Sequence, residues 1–295
     1  MPTTALSEAV VQWYRGHARD LPWRAADRTP WGVLVSEVML QQTPVVRVEP
    51  VWHSWMRRWP EPAGLAAAQP GDAVRAWGRL GYPRRALRLH AAARTMVERH
   101  GGRVPSSYEE LRALPGVGDY TAAAVASFAF GHRHAVLDTN VRRVLARAVN
   151  GTAYPPASPT AAERTLAESL LPLTGAAEWA VAVMELGALV CTARAPSCRQ
   201  CPIIGRCAWQ LAGAPPHNGP PRRGQPWAGT DRQARGRLMA VLRASPDPVA
   251  RHSLEQAWPD DPVQRERALD GLIADGLVEP LADARYRLPA SPPVR

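Results

Sequence analysis

At 295 residues, 46% of them apolar, and with a net charge of +10, the chain is long enough for two domains and basic enough to favour a polyanionic partner. All 36 cations are arginines, so no side chain can form a Schiff base, which needs a primary amine. No apolar run approaches the roughly 18 residues of a membrane helix, and MPTTALSEAVVQWYRG lacks the basic start and apolar stretch of a signal peptide, so a cytoplasmic protein without membrane association is expected.

Helical periodicity dominates from residue 1 to about 210, and alternating strand patterns are almost absent, so an all-α body is expected there. WGVLVSEVMLQQT, Trp31–Thr43, is a strongly apolar helical run whose only charge is Glu37. A carboxyl group among Val33, Leu34, Val38 and Met39 has its charged form disfavoured, which raises its pKa and suits it to donate a proton near neutral pH. The competing placement puts Glu37 on a polar stripe beside Gln41. GDAVRAWGRLGY and RALRLHAAARTMVERH follow as amphipathic helices.

LPGVGDYTAAAVASFAF, Leu114–Phe130, joins two helices through a tight turn in which Gly116 and Gly118 allow conformations closed to other residues. Amides at such a helix start attract an anion, so the turn suits a DNA phosphate; it serves equally as a plain interhelical turn. Asp138, in AVLDTNVRRVLAR, lies about twenty residues further on and is placed to cap the next helix. AEWAVAVMELGALVC is another helix. All four cysteines then fall in CTARAPSCRQCPIIGRC, spaced C-x6-C-x2-C-x5-C. Clustering of this kind in a reducing compartment points to a metal centre, and spacing leaves zinc and [4Fe–4S] both open.

Residues 212–230, rich in proline and glycine, are expected to be a linker. Beyond them DRQARGRLMAVLRAS, VARHSLEQAW and PVQRERALDGLIADGLVEP are helical, and LVEPLADARYRL suggests two short strands, a winged-helix pattern over 231–295. This tail holds ten arginines and ten carboxylates, whereas residues 1–228 hold 26 and 16, so the basic excess lies wholly in the body. A neutral tail argues against strong phosphate binding, and leaves docking of a protein partner as open as contact with DNA.

Taken in order, LPWR, SEVMLQQT, Gly81–Tyr82, RLH, LPGVGDYTA, DTNVRRVLAR and the cysteine loop resemble the helix-hairpin-helix DNA glycosylases of the endonuclease III type, and within them the adenine DNA glycosylases (MutY type). The resemblance runs from Leu21 to Trp209. It implies a six-helix barrel over 29–135, a cluster domain from 1–28 and 136–211, a [4Fe–4S] cluster on Cys191, Cys198, Cys201 and Cys207, and DNA across the groove between the domains. It implies that Glu37 protonates a flipped adenine, that Asp138 stabilises the sugar cation, and that Asn140 and Tyr120 support both. Trp23 and Arg24 are carried over as DNA-facing, Gly116, Val117 and Gly118 as the phosphate turn, and Gln42, Thr43, Leu80 and Tyr82 as contacts to the opposite 8-oxoguanine.

The resemblance therefore leads us to expect a monomeric, monofunctional glycosylase that removes adenine opposite 8-oxoguanine or guanine in double-stranded DNA and leaves an abasic site. Members that also cut the backbone carry lysine where this chain has Tyr120. Thr139, Pro83 and Arg142 depart from the usual residues, and the tail is too short and too helical for the Nudix-like domain typical of adenine glycosylases. The alternatives are a T·G-mismatch thymine glycosylase, for which Glu37 has no use, and a non-enzymatic iron–sulfur DNA-binding regulator, which needs neither Glu37 nor Asp138.

Overall fold

Apolar residues three and four apart become buried helix faces throughout the body. The structure, a computed structural model, describes residues 3–217 and 227–290, so the middle of the expected linker, 218–226, and the last five residues of the tail lie outside the described residues. The helices run α1 (Thr3–His17), α2 (Pro30–Leu40), α3 (Val45–Arg58), α4 (Pro62–Ala67), α5 (Pro70–Trp77), α6 (Arg84–His100), α7 (Tyr108–Ala113), α8 (Asp119–Phe130), α9 (Thr139–Ala148), α10 (Ala161–Ser169), α11 (Ala176–Leu189) and α12 (Ala208–Leu211). Local chemistry sets several ends. Proline occupies the first turn of α4 and α5, where its missing N–H is harmless. A Thr160–Glu163 capping box opens α10. The helix expected over GDAVRAWGRLGY stops at Trp77 because Gly78 turns to φ 56°.

The chain packs as two compact units. The first takes the described parts of Met1–Leu34, Ser106–Ala113 and Val117–Pro221. Its core is built where α1 and α9 pack on α11, with Val10, Leu145, Trp179, Val183 and Leu186 buried together. Full burial of each such side chain stabilises by about 1.5–3 kcal/mol. Cys191 and Cys201 pack against the same core, so the cysteine loop is seated on it.

The second unit takes Val35–Pro105, Leu114–Gly116 and the described part of Arg222–Arg295. Here α4 and α5 pack on α6, and Trp55 meets Trp59 and Trp77 edge-on at 4.9 and 5.5 Å. The tail belongs to this unit. It runs α13 (Asp231–Ala244), β1 (Val249–Ala250), α14 (Arg251–Ala257), α15 (Pro262–Ala274), β2 (Glu279–Pro280) and β3 (Arg285–Arg287). The strands form an antiparallel sheet in the order β1-β3-β2, with Val249 opposite Tyr286 and Glu279 opposite Arg287. Three helices with this small sheet make the winged-helix order read from the sequence. One detail differs: VARHSLEQAW does not begin as a helix. Val249 and Ala250 pair with β3 instead, a long-range pairing that local periodicity cannot reveal.

Candidate active site and cysteine loop

Helix α2 is buried all round: Trp31, Val33, Leu34, Val35, Val38 and Met39 are all core residues. Glu37 is 5% exposed. The polar-stripe placement is thereby removed, since no solvated face exists over this stretch of helix.

The hairpin forms from α7 and α8. Gly116 sits at φ 77°, and a Cβ there would lie 2.6 Å from that of Arg88, so only glycine fits. Gly118 is the N-cap residue of α8 and, lacking a side chain, makes no side-chain cap there. Asp119, the first residue of α8, is engaged by Arg112 at 2.6 Å, and this bond holds its carboxyl below the usual range. Arg164 also reaches it, at 3.5 Å. Val117 is buried.

Asp138 caps α9, accepting from the Val141 N–H at 2.6 Å and from Asn140 Nδ2 at 2.8 Å. The cap expected from sequence is present, and its two hydrogen bonds orient the carboxylate. Asp138 keeps some surface exposure, but most of its surroundings are protein. Burial raises its pKa, while the Val141 and Asn140 hydrogen bonds pull the other way. Asn140 Oδ1 in turn accepts from Arg143 at 2.8 Å. Arg143 donates to the carbonyls of Gly187 at 2.6 Å and Cys191 at 2.7 Å. A Cβ on Gly187 would come within 2.7 Å of the Asn140 Cβ, so a glycine is needed where α11 meets α9. Tyr120 packs beside Ala123, Ala124, Val136 and Ala180 in the same unit.

All four cysteines line one pocket with Arg147, Val190, Ile204, Trp209 and Gln210. Among the described residues, no group of three or more His, Cys, Asp or Glu side chains is arranged to hold a metal ion. Burial pushes the Cys201 thiol up to about 11 and raises that of Cys198. Gln210 Nε2 donates to Cys198 Sγ at 3.1 Å and Arg147 to Cys191 Sγ at 3.4 Å. Arg147 also binds the carbonyls of Ala153, Thr192 and Ala193, tying the loop to α9.

The turn expected to meet the opposite base divides by exposure. Gln42 and Tyr82 are exposed, Tyr82 by 50%, and both hold positive φ, 56° and 46°. Thr43 and Leu80 are buried, Leu80 at 4%, so they shape the turn from behind and have little surface to offer DNA. Arg85 holds the parts together. Its guanidinium donates to the carbonyls of Val38 (2.9 Å), Met39 (3.2 Å), Gln41 (2.5 Å) and Gly81 (3.2 Å), and to Thr43 Oγ1 (3.1 Å). Burial pulls Arg85 down to about 10. Trp23 and Arg24 turn inward too: Trp23 is 5% exposed, and Arg24 bonds Glu185 at 3.1 Å.

Residues 35–170 match the HhH-GPD superfamily of base excision DNA repair proteins. Over 281 residues the chain is 53% identical to an adenine DNA glycosylase of Mycobacterium tuberculosis, covering 95% of this chain and 92% of that one. This chain belongs to the HhH-GPD superfamily. An adenine DNA glycosylase of Mycolicibacterium smegmatis is 52% identical over 279 residues, covering 95% of this chain and 94% of that one. A solved thermostable thymine-DNA glycosylase superposes with a TM-score of 0.65 at 27% identity, covering 71% of this chain and 97% of that chain. The mycobacterial matches leave too few residues unaligned to omit the winged-helix tail, whereas the thymine enzyme matches the body's length. Like other members of its superfamily, the chain is an enzyme of base excision repair acting on N-glycosyl bonds.

Several residues of this HhH-GPD enzyme escaped the sequence reading. Glu185, fully buried, receives the Arg19 backbone N–H at 3.0 Å and its guanidinium at 2.7 Å. Burial alone would raise its pKa, but the Arg19 and Arg24 guanidiniums hold it below the usual range. The signal was present, since Glu185 is the lone charge in AVAVMELGALV as Glu37 is in its own run. Arg143 and Arg147, spaced i, i+4 on α9, carried no such mark. Arg142, a departure from the family pattern, is engaged bidentately by Glu163 at 2.8 and 2.9 Å, which gives it a structural task.

Proposed function

We propose that this chain is a monofunctional glycosylase that removes adenine mispaired with 8-oxoguanine or guanine and leaves an abasic site. The observation that carries the reading is the burial of Glu37 in an apolar helix, because a purine leaves readily only once a ring nitrogen is protonated. Glu37 delivers that proton. The electron pair of the glycosidic bond departs with the base, and positive charge builds on the sugar. Asp138, oriented by Val141 and Asn140, faces that charge as a carboxylate while water adds to the anomeric carbon and releases a proton to solvent, from which Glu37 is reprotonated. Extrusion of the base costs roughly a few kcal/mol, least at a mismatch. The glycine turn at Gly116 ahead of α8 takes a DNA phosphate without reading sequence. The names of the mycobacterial relatives support the adenine assignment. Thymine excision gives a buried Glu37 no proton to deliver, and a non-enzymatic regulator would use neither carboxyl.

Cys191, Cys198, Cys201 and Cys207 would hold a [4Fe–4S] cluster, and their shared pocket supports it. When bound, the cluster supplies iron charge that replaces thiol protons and cross-links the loop. With no lysine in the chain, lysine-dependent strand cleavage is absent. A single-turnover assay across A·8-oxoG, A·G, A·C, T·G and T·A duplexes tests the whole reading. Adenine release opposite 8-oxoguanine and guanine, with strand scission only after heat or alkali, is the expected result. Preferred thymine release, or robust scission at neutral pH, overturns it.

A further inference from the structure

The turn that carries Tyr82 is touched by the winged-helix tail within the second unit. Arg232, the second residue of α13, donates to Tyr82 Oη at 3.4 Å, and its guanidinium carbon lies 5.8 Å from the ring centroid. The buried Arg85 guanidinium lies 5.5 Å from the same ring. Tyr82 is half exposed and at φ 46°, and these two cations lie within cation–π range of its ring.

Arg232 is itself held in place. Arg75 donates at 2.6 Å to the carbonyls of both Arg243 and Ser245 at the end of α13. Arg84 and Arg235 share the Asp275 carboxylate, Arg84 at 3.0 Å. The Gly71 N–H donates to the Pro289 carbonyl at 2.7 Å, and a Cβ on Gly71 would collide with that oxygen. Four segments of the tail thus fasten to α5, α6 and the turn before α6. Elsewhere on the tail, carboxylates pair with Arg251, Arg267, Arg285 and Arg287, which leaves little net field for phosphate.

We propose that Arg232 is a positioning residue for mismatch specificity, holding the Tyr82 ring where the turn meets the base opposite the target, so that the tail sets mismatch preference through protein contact and not through phosphate. This rests on the reading of Tyr82 as an opposite-base contact. The test uses the full chain and the ratio of single-turnover rates on A·8-oxoG and A·G duplexes. Arg232→Ala is expected to lower that ratio about two- to fivefold, the size of an exposed cation–π contact. Arg232→Lys should fall between, because it keeps the charge and loses the planar fork. In a Tyr82→Ala background Arg232→Ala should add nothing. The salt dependence of DNA binding should stay unchanged, since a lost phosphate contact would reduce its slope by about one. An unchanged ratio in Arg232→Ala overturns the proposal, as does an equal loss without the Tyr82 ring, or a reduced salt slope. If Tyr82→Ala also leaves the ratio unchanged, the reading of Tyr82 falls too. If Tyr82→Ala lowers the ratio and Arg232→Ala does not, only the proposal about Arg232 falls.

Discussion

Helix α9 and the winged-helix tail both carry closely spaced arginines, and the two regions use them in opposite ways. On α9, Arg142, Arg143 and Arg147 are buried and give most of their donors to backbone carbonyls or an amide oxygen, with one carboxylate, Glu163, among the acceptors. On the tail, Arg251, Arg285 and Arg287 stand at the surface beside carboxylates. A planar guanidinium with five donors can fix several strands of loop at once when water is excluded. At the surface the same group mainly balances charge. The +10 excess of the body is therefore not all available to DNA, because Arg85 and the three α9 arginines are consumed by internal fastening.

The sharpest way to break this contrast acts on the end of the α9 relay. Asp138→Asn should lower single-turnover excision by about 10³-fold or more, while Asn still accepts from Val141 and keeps the cap. Because folding raises the Asp138 pKa, its charge weakens the fold as pH rises from the ordinary 3.8 through that raised value. The variant should therefore gain stability relative to the parent between acid and neutral pH, against a pH-independent cost from setting its Nδ2 donor opposite that of Asn140. Glu37→Gln should reduce adenine release by about 10²- to 10⁴-fold with DNA binding retained in a filter or anisotropy assay.

Next in size, Arg143→Ala should destabilise by about 2–4 kcal/mol in urea melts, since it strands acceptors on Asn140, Gly187 and Cys191. It should also lower iron content per chain, and Arg143→Lys should not restore either quantity. Arg285→Ala in the tail should move the melting temperature by less than about 2 °C. A large effect there, or none at Arg143, would erase the distinction between the two regions.

Much of the site could be read from residue types in order. The lone charge of α2, the glycine turn before α8 and the DTN cap each announce themselves locally. What escaped reading depends on partners far along the chain. Arg85 gathers oxygens from Val38 to Gly81, and Arg232 reaches Tyr82 across 150 positions. Leu80 and Trp23 look like surface contacts in a motif, yet tertiary packing turns both inward.

The helical body, the four-thiol loop and the lack of any lysine side chain followed from sequence, because periodicity, spacing and side-chain chemistry are local properties. Tertiary structure decided three other matters. Glu37 has no solvated stripe to sit on, Asp138 is wired through Asn140 and Arg143 to the Cys191 carbonyl, and the neutral tail rests against the turn bearing Tyr82. Burial and long-range hydrogen bonds belong to pairs of distant segments, and no window of the chain contains both partners.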